Sequence, residues 1–143
     1  FLLFRRLSRK TSKQLREDIQ VAKIFIVDDD PDVVDACTLI LESEGHTVTA
    51  AYNRDEGMKL LLSNTPDLLI LDVMMEQPDD GIAMAQELRR NKFEGPILML
   101  TSIGKTTGFE FGRDNEIVPV DAFEEKPLEP RKLISVVNEL LAR

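Results

Sequence analysis

The run DLLILD (67–72) is short, apolar and β-branched in part, and it closes on a carboxylate. It is the strongest of five such runs: KIFIV (23–27), HTVTAA (46–51), PILMLTS (96–102) and VDAF (120–123) are the others. Helical patterning fills most of the gaps between them. Strands that are continuously apolar, rather than alternating, must be buried on both faces. Helices returning the chain between them supply that cover. The alternation therefore predicts an α/β fold, a doubly wound, five-stranded parallel sheet with right-handed crossovers. In such sheets ligands sit beyond the carboxyl ends of the strands, where strand order switches.

The helix boundaries carry their own signals. Asp30 followed by Pro31 reads as a cap and first helical residue. Val33, Val34, Cys37, Leu39, Ile40 and Leu41 supply the apolar side, and Gly45 ends the helix. Asn53 caps a second helix with Met58, Leu61 and Leu62 inward, and Pro66 breaks it. GIAMAQELRRN (81–91) presents Ile82, Ala85 and Leu88, and Glu129-Pro130 opens a last helix with Leu133, Val136, Val137 and Leu140 inward. Asp30 and Asp32 read as cap and first-turn residues, which a helix N-terminus favours.

The residues at the strand ends carry the chemistry. Strand one ends at Asp28 and Asp29, strand three at Asp72, strand four at Thr101 and Ser102, and strand five is followed by Lys126-Pro127. Three carboxylates, a hydroxyl and an ammonium thus converge on one rim. Two unit charges ~4 Å apart repel by roughly 4 kcal/mol at an effective dielectric of 20. An all-oxygen site of this kind should take up a hard cation, and Mg²⁺, which shares its shell with water and phosphate, suits it.

Other features bound the reading. A chain of 143 residues with 43% hydrophobic content is one domain's worth. Its mean hydropathy is −0.16. No apolar run reaches the eighteen residues that read as a membrane span, so residues 21–143 are expected to have no membrane contact. The net charge of −8 argues against a direct nucleic-acid surface. Cys37 is the only cysteine, so no internal disulfide forms, which fits a cytoplasmic location. His46 is the only histidine, and gives neither a metal cluster nor a phosphodonor helix. Residues 1–20 carry a net +4, leaving −12 on residues 21–143, and that shift predicts a boundary near residue 20. Leu3, Leu7, Leu15 and Ile19 recur at multiples of four, so 1–20 reads as a basic helical extension or linker. A solvated or vector-derived extension, a signalling helix from an upstream domain and the end of a membrane segment are its three readings.

VDDDP (27–31), LDVMM (71–75) with DG (80–81), LTS (100–102) and EKP (125–127), in this order and each at a strand end, resemble the response-regulator receiver domain of two-component signalling. The resemblance runs from Lys23 to about Leu141 and implies the flavodoxin-like strand order 2-1-3-4-5. It implies that Asp72 is the phosphoacceptor, attacking a phosphohistidine of a sensor histidine kinase or phosphotransfer protein. Asp29 would bind Mg²⁺ directly, Asp28 chiefly through metal-bound water, and the backbone carbonyl of Met74 would complete the protein's ligands. Thr101 and Lys126 would each bind a phosphoryl oxygen, and the Lys126–Pro127 bond would be cis. Phe123 occupies the family's switch position, and a plain core role for it stays open. Asp72 is taken as ionised at neutral pH, so no general base is needed.

Two stretches depart from the family. Gly81 lies nine residues after Asp72, one more than usual, and the common proline is displaced to Pro78. Twenty-five positions separate Thr101 from Lys126, and the interval, with Gly104, Gly108 and Gly112, has little helical period, so the helix expected there is shortened or irregular. Met74 and Ile103, which would flank the hydrolytic water, are apolar, which predicts slow self-dephosphorylation. The expected role is a phosphorylated switch or relay node with a downstream protein partner, either stand-alone or part of a larger protein such as a hybrid kinase, with a homodimer left open. The alternatives are a non-phosphorylated receiver-like scaffold and an aspartyl-phosphate hydrolase. The latter usually has a second carboxylate where this chain has Met74.

Overall fold

Successive side chains of a strand point to opposite faces of the sheet, and here that parity sorts the apolar residues into two cores. The structure is a computed structural model that describes residues 21–102 and 119–143. Its elements are β1 (Lys23–Val27), α1 (Pro31–Ser43), β2 (Thr47–Ala51), α2 (Arg54–Ser63), β3 (Leu68–Asp72), α3 (Asp80–Arg90), β4 (Ile97–Ser102), β5 (Ala122–Lys126) and α4 (Pro130–Leu141). All pairings are parallel, and the order is β2-β1-β3-β4-β5, as expected. Ile24, Ile26, Leu68, Ile70, Leu98 and Leu100 pack with buried residues of α1 and α4. Phe25, Val27, Leu69, Leu71, Ile97 and Met99 face the other way, onto α2 and α3.

The local signals work through specific bonds. The Asp30 carboxylate accepts from the Asp32 N–H at 2.9 Å, and the Asn53 amide oxygen accepts from the Glu56 N–H at 2.8 Å. These satisfy backbone donors that the first helical turn leaves free. Gly45 ends α1 at φ +92°, a conformation side chains rarely adopt.

Two expectations need correction. Leu39 and Leu62 are not inward; they are 74% and 71% exposed. α1 buries Val34, Cys37 and Leu41 and α2 buries Gly57 and Leu61, so helical spacing puts Leu39 and Leu62 on other faces. The last strand spans 122–126, not 120–123, so Lys126 ends it rather than following it. The charged EEK stretch hides an edge strand whose register is set by β4, with Thr101 opposite Glu125 and Ser102 opposite Lys126. The irregular or shortened helix expected between Thr101 and β5 falls on 103–118, outside the described residues, as does the whole of 1–20.

His46 is buried, and its Nδ1 accepts the Ala22 N–H at 3.1 Å, tying the start of β2 to the chain before β1. Burial lowers its pKa below the ordinary 6.5, and the nearby Glu44 charge offsets only part of this. A base with a lowered folded pKa binds fewer protons folded than unfolded, so its contribution is full above the ordinary pKa and is lost as pH falls. Urea unfolding should therefore show wild type losing more stability than His46→Gln as pH falls through about 6.5. Parallel pH profiles for the two proteins would contradict this.

Candidate functional site

Sheet register forces the carboxylates together. Val27 lies opposite Leu71 in the β1–β3 ladder, so the next residues, Asp28 and Asp72, leave the sheet side by side on one face. Both are buried, at 0% and 3% exposure, while Asp29 is exposed. One oxygen from each of Asp28, Asp29 and Asp72 lies within 4.8 Å of the others. Lys126 reaches the same point from the edge strand, with Nζ 2.8 Å from Asp28 Oδ2 and 3.2 Å from Asp72 Oδ1.

The site remains electrically unbalanced. Asp28 Oδ1 accepts the Asp30 N–H at 2.9 Å. Asp28 Oδ2 takes its positive partner from Lys126, in an ion pair at 2.8 Å, and has no further hydrogen-bond partner among the described residues. Burial, reinforced by the Asp28 charge, raises the Asp72 pKa to about 7 despite the opposing pull of Lys126. Asp72 thus lies well above the ordinary carboxylate range from which its ionisation was read. Burial alone would depress Lys126, yet its contacts with Asp28 and Asp72 outweigh this and raise its pKa. Three carboxylates drawn together, two of them buried, with one ammonium between the buried pair fit a hard, oxygen-seeking dication. The three aspartates could hold a metal ion.

Thr101 and Phe123 have the opposite parity. Thr101 is buried at the end of β4, and Phe123, opposite Met99 in β5, is half-buried against the core beneath α2 and α3. By strand parity both belong to the side of the sheet that faces α2 and α3, with Thr101 at the carboxyl end, one residue beyond the Leu100 that lies opposite Asp72. Lys126–Pro127 is cis. Met74 lies half-buried in the loop from β3 to α3, beside Met75. Ile103 lies outside the described residues.

That loop returns very close to the site. The Gly81 N–H donates to Val73 O at 2.9 Å, and a Cβ on Gly81 would lie 2.0 Å from the Asp72 carbonyl oxygen. Reading the sequence for ligands missed Asp80 as more than half of the DG pair. Asp80 is buried, accepts the Gln77 N–H at 2.7 Å, and lies 3.9 Å from Arg54. Its only sequence signal is an acid at the start of a helix, which is common on surfaces.

Residues 24–138 match the family model described as the response regulator receiver domain. The chain is 35% identical over 125 residues to the alkaline phosphatase synthesis transcriptional regulatory protein PhoP of Bacillus subtilis (strain 168), covering 85% of this chain and 49% of that protein. It thus spans about half the length of this curated relative. A CheY-like response regulator receiver domain protein from Methanospirillum hungatei JF-1 superposes with TM-score 0.75 at 25% identity, over 85% of this chain and 94% of that one. The receiver domain of the Francisella response regulator 1452 gives TM-score 0.72 at 26% identity, over 85% and 98%.

The Gly81 contact yields a direct expectation. Gly81→Ala should destabilise the fold by about 1–3 kcal/mol through overpacking against backbone, measured by urea unfolding. Stability equal to wild type would show that the loop yields freely.

Proposed function

Because the chain belongs to the response-regulator receiver family, whose standard role is to accept a phosphoryl group, we propose that Asp72 is its acceptor. The observation that carries this is the cluster itself: Asp72 buried at a strand end, grouped with Asp28 and Asp29 and paired with Lys126 at 3.2 Å. Membership implies a histidine kinase or phosphotransfer protein as the phosphoryl source. The donor group would be a phosphohistidine.

The transfer balances simply. An Asp72 carboxylate oxygen attacks phosphorus, an O–P bond forms, and the P–N bond to the donor imidazole breaks with its electron pair going to nitrogen. Asp28, Asp29, Asp72 and the Met74 carbonyl would hold Mg²⁺, which supplies positive charge against both the carboxylates and the phosphoryl oxygens. Lys126 needs only a small displacement from Asp72 Oδ1 to pair with a phosphoryl oxygen, because it already lies between Asp28 and Asp72. Catalysis is then chiefly charge placement and orientation, the usual case for phosphoryl transfer. Thr101 would donate its hydroxyl to another phosphoryl oxygen. Its movement would change the packing around Phe123, which shares its face of the sheet, and a charge event would become a surface change. The unit that does this is residues 21–143, with 1–20 as its extension and a protein of unspecified identity downstream.

With Mg²⁺ and a small-molecule phosphodonor, wild type should gain one phosphoryl mass and Asp72→Ala none. Equal labelling of both, or labelling of neither, would remove Asp72 from this role, the second result favouring a receiver-like scaffold. With Met74 apolar beside the acceptor, the adduct should also decay slowly. Phosphate release with a half-life of seconds would contradict this.

A further inference from the structure

The proposed metal ligand in the β3–α3 loop is a backbone carbonyl, that of Met74, and a carbonyl cannot be aimed by its own side chain. Something else must hold the peptide. We propose that the buried Asp80 carboxylate is a positioning residue for the metal site, fixing the loop so that the Met74 carbonyl is presented in one direction. This rests on the receiver reading and extends it to a residue that touches neither metal nor phosphoryl group.

The bonds form a short chain. Asp80 opens α3, yet its carboxylate reaches back out of the helix: Oδ2 accepts the Gln77 N–H at 2.7 Å. The Gln77 carbonyl in turn accepts from Asp80 N–H at 3.2 Å and from Met75 N–H at 3.3 Å. Gln77 is thus held at both backbone atoms by one residue, and Pro78, fixed at φ, follows it. The Met75 N–H that Gln77 receives belongs to the same peptide unit as the Met74 carbonyl. A trans peptide is planar, with N–H and C=O opposed. Directing one therefore directs the other.

Asp80 is well suited to hold this geometry rather than adapt to it. Its side chain is only 10% exposed, and Arg54 Nη1 lies 3.9 Å from the other oxygen, while Arg54 Nη2 is anchored to Glu87 at 2.9 Å. The N-terminus of α3 favours its negative charge. Asp79, at the cap position, makes no side-chain capping bond, so the acid that organises this turn is Asp80. The loop ends are closed by Gly81 N–H to Val73 O at 2.9 Å, with Val73 N–H itself on Leu100 O at 2.9 Å. Between these fixed ends, Asp80 is the buried side chain that holds the span. The extra residue relative to the family's usual spacing lies within this loop, where an unpinned carbonyl would have more directions to choose from.

The test measures Mg²⁺ itself. Calorimetric titration of Mg²⁺ should show Asp80→Ala weakened about tenfold, the scale for losing a residue that orients a metal ligand. Asp80→Asn, which keeps an acceptor for Gln77, should recover most of that loss. In phosphodonor labelling, Asp80→Ala should raise the Mg²⁺ concentration for half-maximal rate more than it lowers the rate at saturation. Gln77→Pro deletes the donated hydrogen at an exposed position and should weaken Mg²⁺ in the same direction, which keeps the test decisive if Asp80→Ala does not fold. Mg²⁺ affinity within twofold of wild type in whichever of these two variants folds would overturn the inference, even with a lowered melting temperature. If wild type itself takes neither Mg²⁺ nor label, the receiver reading fails instead.

Discussion

Two carboxylates on neighbouring strands cannot be separated by rotating side chains when the ladder itself sets them abreast. Asp28 and Asp72 are in that position, because Val27 and Leu71 pair immediately before them. Everything nearby answers to this enforced proximity. Lys126 is drawn between them, and burial together with the Asp28 charge raises the Asp72 pKa to about 7. The sheet supplies the rigidity that makes the arrangement durable: Ile24, Ile26, Leu68, Ile70, Leu98 and Leu100 on the same face are essentially inaccessible. A more pliant scaffold would relax the repulsion instead of storing it for a cation.

Much of this was legible in the sequence, for a physical reason. A parallel strand buried on both faces must be apolar along its length, so a charged residue ending it stands out at once. Asp28, Asp72 and the apolar runs before them are readable in that way. The edge strand was harder. Glu124, Glu125 and Lys126 look like a loop in sequence, but half-exposed residues on an outer strand need not be apolar, and only pairing with β4 reveals them. Leu39 and Leu62 misled in the opposite direction, since adjacent leucines do not distinguish the inward from the outward side of a helix.

Asp80 and His46 mark another limit. Each is a buried polar residue that accepts from a backbone amide, Asp80 from Gln77 and His46 from Ala22. Every residue carries a backbone amide, so no pattern of side chains announces these bonds. The carboxylate cluster is assembled from side chains, whose types and positions at strand ends were enough to find it.

β5 carries Lys126 on the carboxylate face and Phe123 on the opposite face, within five residues. A strand this short, paired with β4 among the described residues, behaves as a single stiff bar. Tilting it to relieve tension at one end reorients an aromatic ring on the far side of the layer. On the proposed reading, electrical load on one surface of the sheet would thereby be converted into shape on the other.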